Sequence, residues 1–181
     1  AGLAMTQLLI LLGRVNERLA LAAGLLLLLS VSVTLFDVVA RPLGLSLGGT
    51  DELSGYAMAI ATSWGMSYAL TNLTHVRIDL VRARGSAPVR AWFDAVSILS
   101  LAVVAVTIGY RGWPVLAKSI KNGSTANTTL ETPLWIPQSL WMAGWLWFAL
   151  SGVVLAVVVC VFLAGGKHAE IDEFAGTRGE I

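Results

Sequence analysis

Long apolar runs separated by short polar segments make up most of the chain. A helix of about 20 apolar residues crosses the roughly 30 Å hydrocarbon core of a bilayer. Runs of this kind occupy the following positions: 19–40, 53–74, 91–112 and 138–164. The pattern therefore predicts an all-α integral membrane protein, with four transmembrane helices in a domain covering residues 19–164.

The two ends of the chain are more polar than these runs. In residues 1–18, apolar side chains recur at helical spacing beside charged ones, and the segment lacks the pattern of a cleavable signal. We predict that it forms an amphipathic helix on the membrane surface. Residues 165–181 contain glycines and charges, and they are predicted to form a polar cytoplasmic tail.

The positions of lysine and arginine predict how the helices are oriented. Eight of these residues flank one side of the predicted bundle: Arg14, Arg18, Arg77, Arg82, Arg84, Arg90, Lys167 and Arg178. The other side has four: Arg41, Arg111, Lys118 and Lys121. Because the cytoplasmic flanks of membrane proteins are enriched in Lys and Arg, both termini are predicted to lie in the cytoplasm.

The composition agrees with a membrane protein and excludes several functions. Hydrophobic residues make up 56% and charged residues 13% of the 181 residues, whereas an ordinary soluble domain has about 25% charged residues. The net charge of +1 is spread along the chain, so there is no basic surface for a nucleic acid. The single Cys160 excludes an internal disulfide or a dithiol redox pair.

Three acidic residues near the predicted first and second helices are candidates for chemistry. Asp37 lies within the first apolar run, where an ionisable residue is a functional candidate. It also lies four residues before Arg41, one helical turn away. One interpretation is therefore that Asp37 forms an interfacial ion pair or a subunit contact. The other is that its carboxylate carries a proton or binds substrate. Asp51 and Glu52 begin the second helix, where their charges complement the helix dipole. A docking contact on the outer surface is the functional alternative for them.

The second apolar run carries a stripe of small residues. They recur at every fourth position: Ala57, Ala61, Gly65 and Ala69. Small residues let helices approach closely in lipid, so the stripe predicts a packing face, either within the chain or against a separate subunit. Trp64 and Trp145 lie deeper than the usual interfacial belt of aromatic residues, and they are predicted to contact protein as well.

The segment after the second run raises the question of a metal site. His75 and Asp79 are one helical turn apart, but two ligands without a third make a poor metal site. A haem anchor normally has histidines within its spans, and the other histidine, His168, lies in the tail. We therefore predict no metal and no cofactor, and interpret this segment as the edge of the membrane.

Four short motifs occur in a fixed order: "FDVVARPLG", "DELSGY", "HVRIDL" and "TPLWIP". In this order, over about residues 10–163, the chain resembles the small membrane subunit, DctQ type, of tripartite ATP-independent periplasmic (TRAP) transporters. The motif positions are Asp37, Arg41, Asp51, Glu52, His75, Asp79, Thr132, Pro133 and Pro137. The chain departs from the family pattern at Asp51, where a glutamate is frequent, and at Pro42 and Leu43, where aromatic residues are frequent.

The resemblance implies a non-enzymatic scaffold subunit of a secondary importer in the bacterial inner membrane. Such importers take up organic acids with a sodium gradient. The implied partners are an obligate large multi-span carrier subunit, a transient periplasmic binding protein and membrane lipids. Two alternatives remain from the residues alone, namely a small proton-coupled exporter using Asp37 and a membrane anchor of a redox enzyme.

Overall fold

The computed structural model describes residues 2–72 and 85–166 and is helical over most of them. Its α-helices within these ranges are α1 (Gly2–Ala40), α2 (Thr50–Thr71), α3 (Ala87–Asn122) and α4 (Trp135–Ala164). A short 3-10 turn, Arg41–Leu43, follows α1. The predicted all-helical class is confirmed.

Three of these helices are long and apolar enough to cross a membrane. They are α1, α3 and α4, which contain 39, 36 and 30 residues. In the described part of the chain, α2 is not among them, because glycine, serine and threonine dilute the apolar side chains of its 22 residues. Three of the four predicted spans are thus supported by length and composition.

The predicted surface helix and the predicted first span lie in one uninterrupted helix. At 1.5 Å per residue, the 39 residues of α1 extend over about 58 Å, which is longer than the roughly 30 Å hydrocarbon core. The charged residues Arg14, Glu17 and Arg18 therefore belong to the same helix as the apolar stretch that follows them. Residues 2–18 are helical, and no break separates them from the span.

The helices are arranged in a row, in the order α1, α2, α4, α3. Helix α1 packs against α2, α2 packs against α4, and α4 packs against α3, whereas α1 touches α4 at few positions. Among residues 2–72 and 85–166, no Cα atom of α1 or α2 lies within 8 Å of a Cα atom of α3. A row of this kind leaves broad helix surfaces uncovered within the chain.

The seam between α3 and α4 contains most of the buried core. Buried uncharged residues of α3 recur at alternating intervals of four and three: Ala91, Ala95, Ile98, Ala102, Ala105, Gly109, Gly112, Leu116 and Ser119. This heptad spacing is typical of two helices that pack along their length. The two backbones approach closely at Gly152 of α4, where an added Cβ would lie 3.3 Å from the Cα of Ala102.

A second close approach joins α2 to α4. A Cβ added to Gly144 would lie 2.9 Å from the Cβ of Ser63 and 3.0 Å from its carbonyl carbon. Only a residue without a side chain fits there, because the backbones themselves are nearly in contact. Glycines of α4 therefore position both of its neighbours.

Candidate functional site

Asp37 lies at the end of α1, where the chain turns toward α2, and its side chain is fully buried. The Leu47 N–H and the Ser46 hydroxyl donate to one carboxylate oxygen, at 2.7 and 3.1 Å. The Arg41 guanidinium and the Thr50 hydroxyl donate to the other oxygen, at 2.8 and 3.2 Å. The carboxylate therefore ties together the end of α1, the connection and the start of α2.

This arrangement favours a structural ion pair over a proton carrier at Asp37. The ion pair with Arg41 that the four-residue spacing predicted is present, with the Arg41 side chain 61% exposed. Both carboxylate oxygens already accept hydrogen bonds from groups of the chain itself, which stabilises the ionised form. The motif spacing indicated the contact with Arg41, but no pattern indicated the two donors from the connection.

Glu52, in the first turn of α2, binds the loop that precedes α4. Its carboxylate accepts hydrogen bonds from the hydroxyl of Thr128 and, at 2.7 Å, from the hydroxyl of Tyr56. These bonds, chiefly the one from Thr128, hold the pKa of Glu52 below its usual range. In the same region Leu130 packs against Gly49, whose φ of 71° and close neighbour both favour glycine.

The paired acidic residues at the start of α2 have different surroundings. Glu52 points to the loop, whereas Asp51 is exposed on the same helical turn. Adjacent residues on a helix point in different directions, so the two carboxylates do not share a site. The pKa of Arg41 is raised by its hydrogen bond with Asp37 and, to a smaller extent, by the charge of Asp51, which is exposed at the surface.

The threonine and prolines of the fourth motif shape the loop and the start of α4. The Thr132 carbonyl accepts a hydrogen bond from the Ala126 N–H at 2.9 Å. Pro133 pairs with Thr125 in an isolated antiparallel bridge. Pro137 is buried in the first turn of α4, where its missing N–H leaves no helical bond unmade. These residues fold the loop into a compact turn beside the start of α2.

A polar junction joins α1, α2 and α4 near the C-terminal end of α2. Asn16 of α1 is fully buried, and its amide group donates to the Ser67 carbonyl at 3.1 Å and to the Thr71 hydroxyl at 3.3 Å. The Trp147 indole N–H of α4 donates to the Asn16 side-chain oxygen at 2.7 Å. One asparagine thus links three helices, and we refer to Asn16, Ser67, Thr71 and Trp147 as the Asn16 junction.

The small-residue stripe of α2 does not stay on one side of the helix. Successive residues turn by about 100°, so a repeat of four drifts by about 40° at each step. Ala57 and Ala61 are buried inside the chain, at 5% and 6% exposure, whereas Gly65 and Ala69 are only partly buried. The sequence pattern therefore combines a packing face within the chain with part of a different surface.

That second surface runs along α2 on the side away from Ala57. We call it the open face of α2 and define it by Gly55, Met58, Thr62 and Gly65, which follow the heptad intervals of three and four. A Cβ on Gly55 or Gly65 would have no atom within 4 Å in the described part of the chain. Met58 is 65% exposed. Small side chains thus occur where the chain offers no neighbour that requires them.

The two tryptophans predicted to contact protein have neighbours within the chain. The Trp64 indole N–H donates to the Leu140 carbonyl of α4 at 3.0 Å. Trp145 packs edge to face against Trp141 and Phe148, with ring centroids 6.3 and 5.8 Å away. Their depth in the helices is therefore explained within the described residues. His75 and Asp79 lie outside the described residues.

The apolar helices, together with polar side chains that bind the chain's own loops and helices, define an integral membrane subunit. Residues 30–165 match the family model described as "Tripartite ATP-independent periplasmic transporters, DctQ component". The match covers about three quarters of the chain, so the chain belongs to the DctQ family. Searches of curated proteins and of solved structures gave no match.

Membership of this family confirms the resemblance read from the motifs. DctQ proteins are the small membrane subunits of TRAP transporters, which also contain a large subunit and a binding protein. The family is one of transporter subunits and not of enzymes. With its membrane-spanning helices, the family membership points to an inner-membrane protein.

Proposed function

We propose that the chain is the fixed scaffold subunit of an importer that takes up organic acids with a sodium gradient. In this proposal a large carrier subunit moves the substrate, a periplasmic binding protein delivers it, and the chain holds the carrier in place. A moving element needs a fixed one to move against. The proposal includes four spans, α2 among them, and both termini in the cytoplasm.

The open face of α2 is the observation that carries the proposal. A glycine within a helix costs about 1 kcal/mol relative to alanine, and Gly55 and Gly65 have no described neighbour in the chain that requires them. In lipid, glycine and other small residues allow a second helix to approach closely. We assign the open face to a helix of the large subunit, which also accounts for the low hydropathy of α2.

The polar groups of the chain support a rigid scaffold. Near the C-terminal end of α1, Asp37 fixes the connection to α2. Nearer the N-terminus of α1, Asn16 links this helix to α2 and α4. Buried polar groups with their hydrogen bonds made restrict helices to one arrangement. Such a frame is suited to holding the static side of a transporter.

The end of the bundle that carries Asp37 is assigned to the periplasm by the count of basic residues. Exposed charges of both signs lie there, namely those of Arg41 and Asp51, which interact electrostatically. Charged surfaces of this kind steer a soluble partner and set its orientation. We assign Arg41 and Asp51 to the contact with the binding protein.

Reconstitution into vesicles tests this function. Uptake of an organic acid should require the large subunit, the binding protein, this chain and an inward sodium gradient. Uptake that continues without this chain would refute its role as an obligate subunit. Transport by the chain alone that is abolished in Asp37→Asn would instead support the small exporter, and a haem absorbance band would support the redox anchor.

A further inference from the structure

A groove of about 550 Å³ lies between α3 and α4, on the side where neither helix is covered by the rest of the chain. Ligand pockets typically have volumes of about 300–1,000 Å³. The walls of the groove are almost entirely apolar and include Val106, Tyr110, Trp113, Leu146, Leu150 and Val153. Both helices are apolar enough to cross a membrane, so the groove opens toward the hydrocarbon of the bilayer.

One end of the groove has the residues of a membrane interface. Tyr110 is 77% exposed and Trp113 is 57% exposed, and these aromatic residues are enriched where hydrocarbon meets the headgroups. Pro114 also lines the groove, and it has no N–H to donate to the carbonyl of Tyr110 one turn earlier. The interfacial end of the groove is therefore more polar than its deep end.

Positive charge continues from this end of the groove along the same side of α3. Lys118 and Lys121 follow Pro114 by four and seven residues, which places them on one face of the helix. Both are exposed. The sequence from residue 95 to residue 130 has no acidic residue, so these charges are not neutralised along α3. A negatively charged group fits beside them.

The distance from the deep end of the groove to Lys118 matches one leaflet of a bilayer. Val106 and Lys118 are twelve residues apart, which corresponds to about 18 Å along a helix. Half of a hydrocarbon core is about 15 Å thick. A chain that starts at a headgroup beside Lys118 therefore reaches Val106 near the middle of the bilayer.

We propose that the groove between α3 and α4 binds an anionic phospholipid. One acyl chain fills the apolar groove from Trp113 to Val106, and the phosphate and headgroup lie against Lys118 and Lys121. Each lysine near an anionic headgroup contributes about 1 kcal/mol, so selectivity for anionic over zwitterionic lipid follows from these two residues.

Native mass spectrometry of the complex with the large subunit tests the proposal, with phosphatidylglycerol and phosphatidylcholine as the probes. Phosphatidylglycerol should bind about thirtyfold more tightly than phosphatidylcholine, since two lysines contribute about 2 kcal/mol. The double variant Lys118→Gln with Lys121→Gln should remove this preference. The matched double variant Arg14→Gln with Arg18→Gln removes the same amount of charge from exposed positions of α1. This control should retain the preference for phosphatidylglycerol.

A second variant tests the groove itself. Leu150→Trp fills the groove, whereas Val157→Trp adds the same bulk at an exposed position of α4 that does not line it. Only Leu150→Trp should reduce bound phosphatidylglycerol. Equal binding of both lipids, or an unchanged preference in the lysine variant, would overturn the proposal. Loss of the large subunit from Leu150→Trp with lipid binding unchanged would also overturn it, because the groove would then be a protein contact.

Discussion

The two edges of the helix row are held by different kinds of interaction. Helix α3 is held by α4 through a continuous seam of small buried residues, closest at Ala102 and Gly152. Within the described chain, the most apolar stretch of α1 has no buried residue, and α1 is tied by polar groups at Asp37 and Asn16. Packing along a whole helix resists separation, whereas a few buried polar groups mainly determine register and position.

The difference has a physical origin in the membrane. Apolar side chains gain little from leaving lipid for protein, so association depends on close packing and on hydrogen bonds. The α3–α4 seam depends on close packing, with glycine and alanine at the contacts. Helix α1 also packs against α2, but the leucines of its most apolar stretch are mostly exposed, so its position depends more on hydrogen bonds. Changes at the seam should therefore have larger effects than changes at the polar ties.

The largest effect is expected from Gly152→Leu. The new side chain starts 3.3 Å from the backbone of Ala102 and must push α3 and α4 apart, with an expected loss of about 3 kcal/mol. Unfolding in mixed micelles, followed by circular dichroism, measures this loss. Gly24→Leu is the matched control on α1, where no described atom lies within 4 Å, and equal stability of the two variants would contradict a seam held by packing.

A smaller loss of folding stability is expected from Asn16→Leu. The substitution leaves the Trp147 N–H without its acceptor and removes two hydrogen bonds to α2, which should cost about 2 kcal/mol. Hydrogen exchange should rise along α1 and stay unchanged in α3. Gln7→Leu changes an exposed polar residue of the same helix, and it should leave exchange as it is. The same result for both variants would refute the role of the Asn16 junction.

A local effect is expected from Asp37→Asn. The amide replaces one accepting oxygen with a donor, which faces donors such as the Leu47 N–H or the Thr50 hydroxyl. Exchange of the Leu47 amide should become faster while the four helices remain folded. Asp51→Asn makes the same change at an exposed neighbour and should have no such effect. Unchanged exchange at Leu47 in Asp37→Asn would show that the carboxylate does not hold the connection between α1 and α2.

The smallest effect concerns pH at Glu52. Because its folded-state pKa is lowered, the contact stabilises the loop above the ordinary glutamate pKa of about 4.3. This stabilisation is lost as pH falls through the lower folded-state value. Hydrogen exchange of residues 124–134, corrected for intrinsic rates, should rise on acidification in the wild type. In Glu52→Gln it should be raised already at neutral pH, and identical pH profiles would contradict the assignment.

The sequence predicted the helices better than their contacts. Apolar runs indicate the three helices that are long and apolar enough to cross a membrane, because about 20 apolar residues are a strong signal, and the motifs led to the correct family. Asn16 was not predicted, since a single polar residue among the charges of α1 has no periodic signal. The four-residue stripe was interpreted as one face, although Ala57 and Gly65 lie on different sides of α2. Small rotations of a helix decide such contacts, and a linear pattern does not contain them.

Association of the large subunit with the open face of α2 is the central claim, and co-purification tests it directly. In the isolated chain, Gly55→Leu with Gly65→Leu should be at least as stable as the wild type, because leucine favours helices more than glycine does. The tagged double variant should recover at least about tenfold less large subunit, equivalent to about 1.4 kcal/mol, while Ala22→Leu, at an exposed position of α1, recovers the wild-type amount. Recovery of the wild-type amount with the double variant would contradict the account.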